Sequence, residues 1–184
     1  FNAWVDEYFL PIETPDRPIP RVEVEEPMRT QPRDYTVYAP NVPLPAVMLS
    51  YPQPESTSPD IPTLMVIDAI LSNGQSSRLY QSLVYDQQIA TAVFTNLEAT
   101  QDPGAYALFA ILSGDQTADA GLASLSAEVA RLRDSPVTQA ELDEAKNEIV
   151  TATLQGRETA FGRSAELADA VFRYNDPTAA DRQL

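Results

Sequence analysis

The spacing of apolar residues predicts three strands that could pair in one sheet. Ala46–Tyr51 reads as a buried strand, and Ile89–Leu97 and Tyr106–Leu112 as two further strands joined by a turn at Asp102-Pro103-Gly104. Asp34–Ala39 alternates apolar and polar residues, which predicts an edge strand.

Apolar residues at helical spacing predict a largely helical remainder. Thr138 and Glu141 stand three positions apart before an apolar run, which predicts a capping box at a helix start. Strands followed by helices indicate an α+β fold, a mainly antiparallel sheet covered on one face by helices. The predicted helices begin at Asp60, with a stop at Asn73-Gly74, and at Ser76-Ser77, and then cover Asp119–Leu132, Gln139–Leu154 and Ala160–Phe172.

The first third of the chain has a different composition. Residues 1–11 read as the end of an amphipathic helix that Pro11 terminates. Residues 12–33 are rich in Pro, Glu and Arg and predict a semi-rigid linker, and residues 34–184 are the predicted domain. Thirteen of the sixteen prolines precede residue 63, which marks this division.

Charge excludes one class of partner. The net charge is −15, with 27 acidic and 12 basic residues, and no basic stripe offsets it. Phosphates would be repelled, so nucleic-acid binding is not expected. A solvated acidic surface is the simple interpretation, and an acidic chamber that favours basic peptides is the alternative. No apolar run reaches the length of a membrane span.

The absence of histidine and cysteine limits the chemistry further. Zinc sites, Ser-His-Asp triads and Cys-His dyads need an imidazole in their common forms, and the chain has none. The acidic runs Glu23–Glu26 and Glu141–Glu148 lack the glycine turn of a calcium loop and read as linker and helix face. We therefore expect no metal and no catalytic residue in this chain.

Two further polar motifs have structural interpretations. Ser72–Ser77 could present amides to an anion at a helix start, but no nucleotide-binding pattern surrounds it, and a helix stop with Gly74 is favoured. Arg78 stands among apolar neighbours and is expected to pair with an acidic residue and fix the helix junction. Gly74, Arg78 and Gly104 are thus predicted structural positions.

The order of several short motifs resembles one peptidase family. Pro45–Tyr51 precedes Pro59-Asp60, and Ile70–Gln81 (ILSNGQSSRLYQ) is followed by Asp102-Pro103-Gly104 and by Val137–Lys146. This succession is similar to the second-half domain of bacterial M16 (pitrilysin/insulinase) zinc peptidases. The resemblance implies the half-domain fold shared by LuxS and the mitochondrial processing peptidase.

The resemblance implies a division of labour between two halves. In this family the first half binds zinc through a His-x-x-Glu-His helix, and the second half is a copy without zinc that helps enclose a peptide chamber. The segment before Pro11 (NAWVDEYF) resembles the end of the zinc half, so residues 1–11 are expected to be its tail helix. The chain also lacks the family's usual final helix and strand, so we expect a truncated piece of a longer protein.

Two positions depart from the family pattern. Many second halves place an Arg and a Tyr against the substrate, and alignment through Ser76–Leu79 puts Val84 and Thr91 at those positions. Valine has no donor and threonine is short, so neither residue could hold a substrate carbonyl. Arg78 and Tyr85 repeat the spacing, but Arg78 already matches the family's own Ser-Ser-Arg.

The leading hypothesis is the non-catalytic half of a zinc metallopeptidase, inactive alone, with zinc in the other half. Its expected partners are its own N-terminal zinc domain, a second M16-like subunit that supplies the Arg/Tyr pair, and peptide substrates. The alternative is a non-proteolytic scaffold or binding subunit of the same fold. The compartment is open from the residues, and the resemblance alone favours the periplasm.

Overall fold

The computed structural model describes residues 1–13, 16–18, 20, 23–24, 27, 29–98 and 100–182. The chain divides into two compact units, Phe1–Ala39 and Pro40–Leu184. Helix α1 (Asn2–Tyr8) lies in the first unit, and none of its residues is buried. Much of the predicted linker, with Glu25 and Glu26 of the first acidic run, lies outside the described residues.

The predicted edge strand at Asp34–Ala39 is wrong. These residues have no regular structure, and Tyr35, Val37 and Tyr38 are almost fully exposed. Alternation alone cannot make a strand, because an extended segment is held by the hydrogen bonds of a neighbouring strand.

The second unit contains the three predicted strands in one antiparallel sheet. They are β1 (Ala46–Gln53), β2 (Ala90–Asn96) and β3 (Gly104–Leu112), in the order β1-β3-β2. The long apolar strand β3 lies in the centre of the sheet, where it pairs with β1 on one side and with β2 on the other. A bulge interrupts the β2–β3 register between Ala90 and Ala92.

Helices follow in nearly the predicted places. They are α2 (Ile61–Ser72), a π-helix (Tyr80–Asp86), α3 (Ala118–Asp134), α4 (Gln139–Gly156), α5 (Ala160–Tyr174) and the short α6 (Ala179–Arg182). The capping box at Thr138 and Glu141 is confirmed, with the hydroxyl and the carboxylate each accepting the other residue's backbone N–H. Asp60 precedes α2 without a side-chain cap, and its own N–H donates to the Ser58 hydroxyl.

The main core lies between one face of the sheet and the helices. Tyr106, Leu108, Ala110 and Leu112 alternate along β3 and point into it. They pack with residues from the helices, so the predicted α+β fold is confirmed. The main helical contributors are Leu71, Leu79, Leu83 and Leu125.

Within the part of the chain that is described, no helix is both long enough and apolar enough to cross a membrane.

Candidate functional site

Val84 and Thr91, the two positions that depart from the family pattern, lie in a segment that begins at a sharp turn after α2. Asn73 ends the helix with its N–H on the Ala69 carbonyl, and Gly74 follows with φ of +69°. This left-handed conformation favours glycine, which has no Cβ. The Ser77 hydroxyl donates to the Gly74 carbonyl at 2.8 Å and closes the turn.

Arg78, directly after this turn, is buried against the start of α4. Its Nε donates to Glu141 Oε1 at 2.6 Å and its Nη2 to Glu141 Oε2 at 3.1 Å. Only 7% of Arg78 is exposed, and the buried carboxylate of Glu128 on α3 adds further negative charge nearby. The two-point geometry fits a guanidinium and a carboxylate, and it ties the junction to α4.

The ion pair changes the titration of both groups. Hydrogen bonds from Arg78, with smaller contributions from Thr138, lower the pKa of Glu141 to about 2, against the opposing effect of burial. The same hydrogen bonds raise the pKa of Arg78. Glu141 therefore both caps α4 and neutralises the charge of Arg78. The two side chains thus have structural roles.

Val84 lies in the π-helix and turns inward. Its side chain is half-buried and packs against the main core. The π-helix is a wider turn that appears often at functional sites, and the pattern of apolar residues did not reveal it. An apolar, half-buried valine there offers no hydrogen bond to a ligand.

Thr91 lies on β2 at the bulge, and its side chain is exposed. Its hydroxyl donates to the Ile111 carbonyl at 3.2 Å, across the sheet. The one donor of this side chain is therefore already used within the domain.

The loop between Val84 and Thr91 is fixed by side-chain hydrogen bonds from residues outside it. Gln88 has φ of +51°, an unusual conformation for a residue with a side chain, and its carbonyl accepts from Ser113 Oγ at 3.1 Å. Ser124 on α3 donates to the Gln87 side chain at 2.7 Å. No sequence pattern predicts this left-handed residue, because glutamine has no special preference for that conformation.

Gly104, the second of the two predicted structural glycines, begins β3. A Cβ placed there would lie 3.2 Å from the Thr100 hydroxyl, which donates to the Asp102 carbonyl. The hairpin between β2 and β3 thus has little space at this position.

The described residues offer nothing that fits zinc. No group of three or more His, Cys, Asp or Glu side chains in the described ranges converges as metal ligands would. Zinc in proteins prefers imidazole and thiolate ligands, and the chain contains neither.

Sequence comparison places this architecture in a known class. Residues 2–149 match the family described as "Peptidase M16 inactive domain", so the chain belongs to the M16 peptidase family, as its inactive domain. The resemblance inferred from the motifs is confirmed. An inactive domain of this family implies a catalytic domain with which it pairs.

Particular relatives are bacterial. The zinc protease PqqE of Helicobacter pylori is 28% identical over 131 residues, which are 71% of this chain and 30% of that protein. A protease structure from Helicobacter pylori has a TM-score of 0.91 at 23% identity, over 99% of this chain and 44% of that one. An inactive peptidase domain from Bordetella parapertussis has a TM-score of 0.67 at 27% identity, over 75% and 74% of the two chains. The chain thus spans less than half the length of both Helicobacter proteins.

Proposed function

We propose that this domain is the non-catalytic half of an M16-family zinc metallopeptidase and forms part of the wall of a chamber that encloses a peptide. The proposal depends above all on the pair of positions Val84 and Thr91. One side chain packs against the core and the other donates within its own sheet. Neither is available to hold a substrate, which supports a role in enclosure rather than in catalysis.

Zinc, on this proposal, is held by the other half of the peptidase. When bound there, it would polarise the scissile carbonyl and activate water. The groups in this chain take no part in that step. The two charged residues at the junction, Arg78 and Glu141, keep the shape of the wall through their ion pair.

A second subunit of the same family would supply the missing Arg and Tyr. The substitution of both family positions in one chain supports this finer proposal, because a peptidase that relies on the pair must obtain it elsewhere. Such a partnership would be a heterodimer of one zinc-bearing and one substrate-holding chain.

The test begins with the complete gene that encodes this chain. We expect its coding sequence to contain His-x-x-Glu-His, and its purified product to bind zinc and cleave peptides only when the substrate-holding subunit is present. The 184-residue chain with added zinc serves as the control and should not exceed the background rate in a chelator. A coding sequence without the zinc motif would reject the peptidase proposal and leave the scaffold alternative. Cleavage by the isolated chain would reject both.

A further inference from the structure

The turn after α2 carries an asparagine followed directly by a glycine on the surface of the domain. Asn73 and Gly74 are both exposed. Within the described residues, neither the Asn73 side-chain amide nor the Gly74 backbone N–H has a hydrogen-bond partner. Both groups are therefore open to a reaction that neither the ion pair at Arg78 nor the proposed function uses.

An asparagine and the glycine that follows it can react with each other. The deprotonated glycine nitrogen attacks Cγ of the asparagine, a new C–N bond closes a five-membered succinimide, and the side-chain nitrogen leaves as ammonia with the proton that the glycine lost. One water molecule then opens the ring at either carbonyl, which leaves aspartate or, with the main chain running through Cβ, isoaspartate. Asparagine is a thermally labile residue, and glycine resists the attack least because it has no Cβ.

The folded turn holds this reaction back. Asn73 has ψ of 120°, an extended value that rotates the Gly74 nitrogen away from the Asn73 side chain about the Cα–C bond. Ring closure needs that nitrogen eclipsed with Cβ, so the turn must first open and rotate. The Ser77 hydroxyl opposes opening because it donates to the Gly74 carbonyl at 2.8 Å. The rate of the reaction is therefore set by local opening of the turn.

The product of the reaction disfavours closure of the same turn. Asn73 lines a small cavity between α2 and α4 together with Glu144 and Glu148. A carboxylate at position 73 adds a further negative charge to this cavity, where like charges repel. Isoaspartate also inserts a methylene into the main chain just before Gly74, which the closed turn has no place for.

We propose that Asn73 is a covalent modification site, at which cyclisation onto the Gly74 nitrogen during transient opening of the turn converts asparagine to aspartate or isoaspartate and loosens the junction between α2 and α4. The inference is independent of the proposed function, since it needs only the turn and the side chains around it.

Incubation of the 184-residue chain at mildly alkaline pH tests the site and its dependence on opening. Peptide mass mapping locates each conversion, and an isoaspartyl methyltransferase labels isoaspartate. We expect Asn73 to convert before the other asparagines, and roughly tenfold or more slowly in the folded chain than in chain unfolded by urea. Equal rates in the folded and unfolded chains, earlier conversion of another asparagine, or no conversion at Asn73 in the folded chain would overturn the proposal.

A pair of serine variants separates opening of this turn from general loosening. Ser77→Ala removes the hydrogen bond to Gly74 and should speed conversion in the folded chain by roughly twofold to tenfold. Ser164→Ala is the matched control, since Ser164 also donates to a carbonyl three residues earlier, that of Phe161, at 2.8 Å, but in α5. It should leave the rate at Asn73 unchanged, and in urea all three chains should convert alike. An equal effect of the two variants, or none from Ser77→Ala, would contradict the opening step.

Asn73→Asp reproduces one product and measures its effect on the junction. The comparison is Asn73→Ser, which has no amide to expel and adds no charge. Hydrogen exchange of the Arg78 and Leu79 amides should be severalfold faster in Asn73→Asp than in Asn73→Ser, and the difference should shrink in high salt. Equal exchange in the two variants would show that the modification leaves the junction intact and would reject its loosening.

Discussion

Arg78 and Glu141, 63 positions apart in sequence, share a two-point hydrogen-bonded ion pair that joins the turn after α2 to the first turn of α4. The pair is shielded, with 8% of the Arg78 side chain and 29% of the Glu141 side chain exposed. Because Glu141 also closes the capping box, one carboxylate connects helix initiation with the packing of two helices.

Removal of the cation should therefore destabilise the domain markedly. We expect Arg78→Ala to lower the free energy of unfolding by about 2–4 kcal/mol, since Glu141 would keep a poorly compensated charge. Arg78→Lys should recover only part of the loss, because an ammonium cannot make the forked contact. Urea denaturation monitored by circular dichroism measures both effects.

The control for this series is Arg133→Ala. Arg133 also pairs closely with a carboxylate, that of Asp134, but at a fully solvated position. Its removal should cause no measurable change in stability. If Arg78→Ala proved equally harmless, the junction would not depend on the ion pair.

The depressed pKa of Glu141 predicts how stability depends on pH. The folded pKa of about 2 lies below the ordinary value of 4.5, so the unfolded chain takes up the proton first as the pH falls. The stabilisation by Glu141 is thus complete above pH 4.5 and is lost as the pH falls toward 2. Unfolding free energies of the parent and of Glu141→Gln, measured across this range, should differ by a constant amount above pH 4.5 and converge below it. A difference that stayed constant down to pH 2 would contradict the assignment.

Features of the fold that depend on residues close together in the sequence could be predicted, and those that depend on distant residues could not. The three strands and the long helices were predicted to within a few residues, since apolar periodicity records which side chains face the core. The capping box at Thr138 is also a local signal. The acidic partner of Arg78 could not be identified, because many carboxylates in the chain were chemically equivalent candidates.

Features that depend on the rest of the fold were missed or misplaced. The π-helix forms i→i+5 hydrogen bonds and a wider turn than an α-helix, but its seven residues are too few for apolar spacing to distinguish the two. Asp34–Ala39 has the alternation of a strand but no regular structure. At the candidate site, the sequence identified Val84 and Thr91 as departures. Only the structure shows that one is packed and the other hydrogen-bonded.

Gly74 provides a test of the turn that precedes Arg78. A Cβ at this position would make an ordinary van der Waals contact with Glu148 Oε1, at 3.7 Å, so steric overlap is not the obstacle. The φ of +69° is the obstacle, and we expect Gly74→Ala to cost about 1 kcal/mol. Gly156→Ala, in α4 and with nothing nearby, should instead stabilise by up to about 1 kcal/mol. Thermal denaturation of the two variants should show opposite shifts in Tm, and shifts of the same sign would contradict this account.

Gly121 tests the packing of α3 on the sheet. It is buried in the helix, and a Cβ there would lie 2.5 Å from Leu112 Cδ2 and 2.8 Å from Leu112 Cδ1. Leu112 is fully buried in β3 and has little room to move, so α3 can approach the sheet this closely only because the glycine has no side chain. We expect Gly121→Ala to destabilise by about 1–3 kcal/mol, although alanine is the better helix former. The double variant Gly121→Ala/Leu112→Val should regain part of this loss in denaturant titrations, because it shortens the residue that clashes. Additive losses would show that the two residues are not in contact.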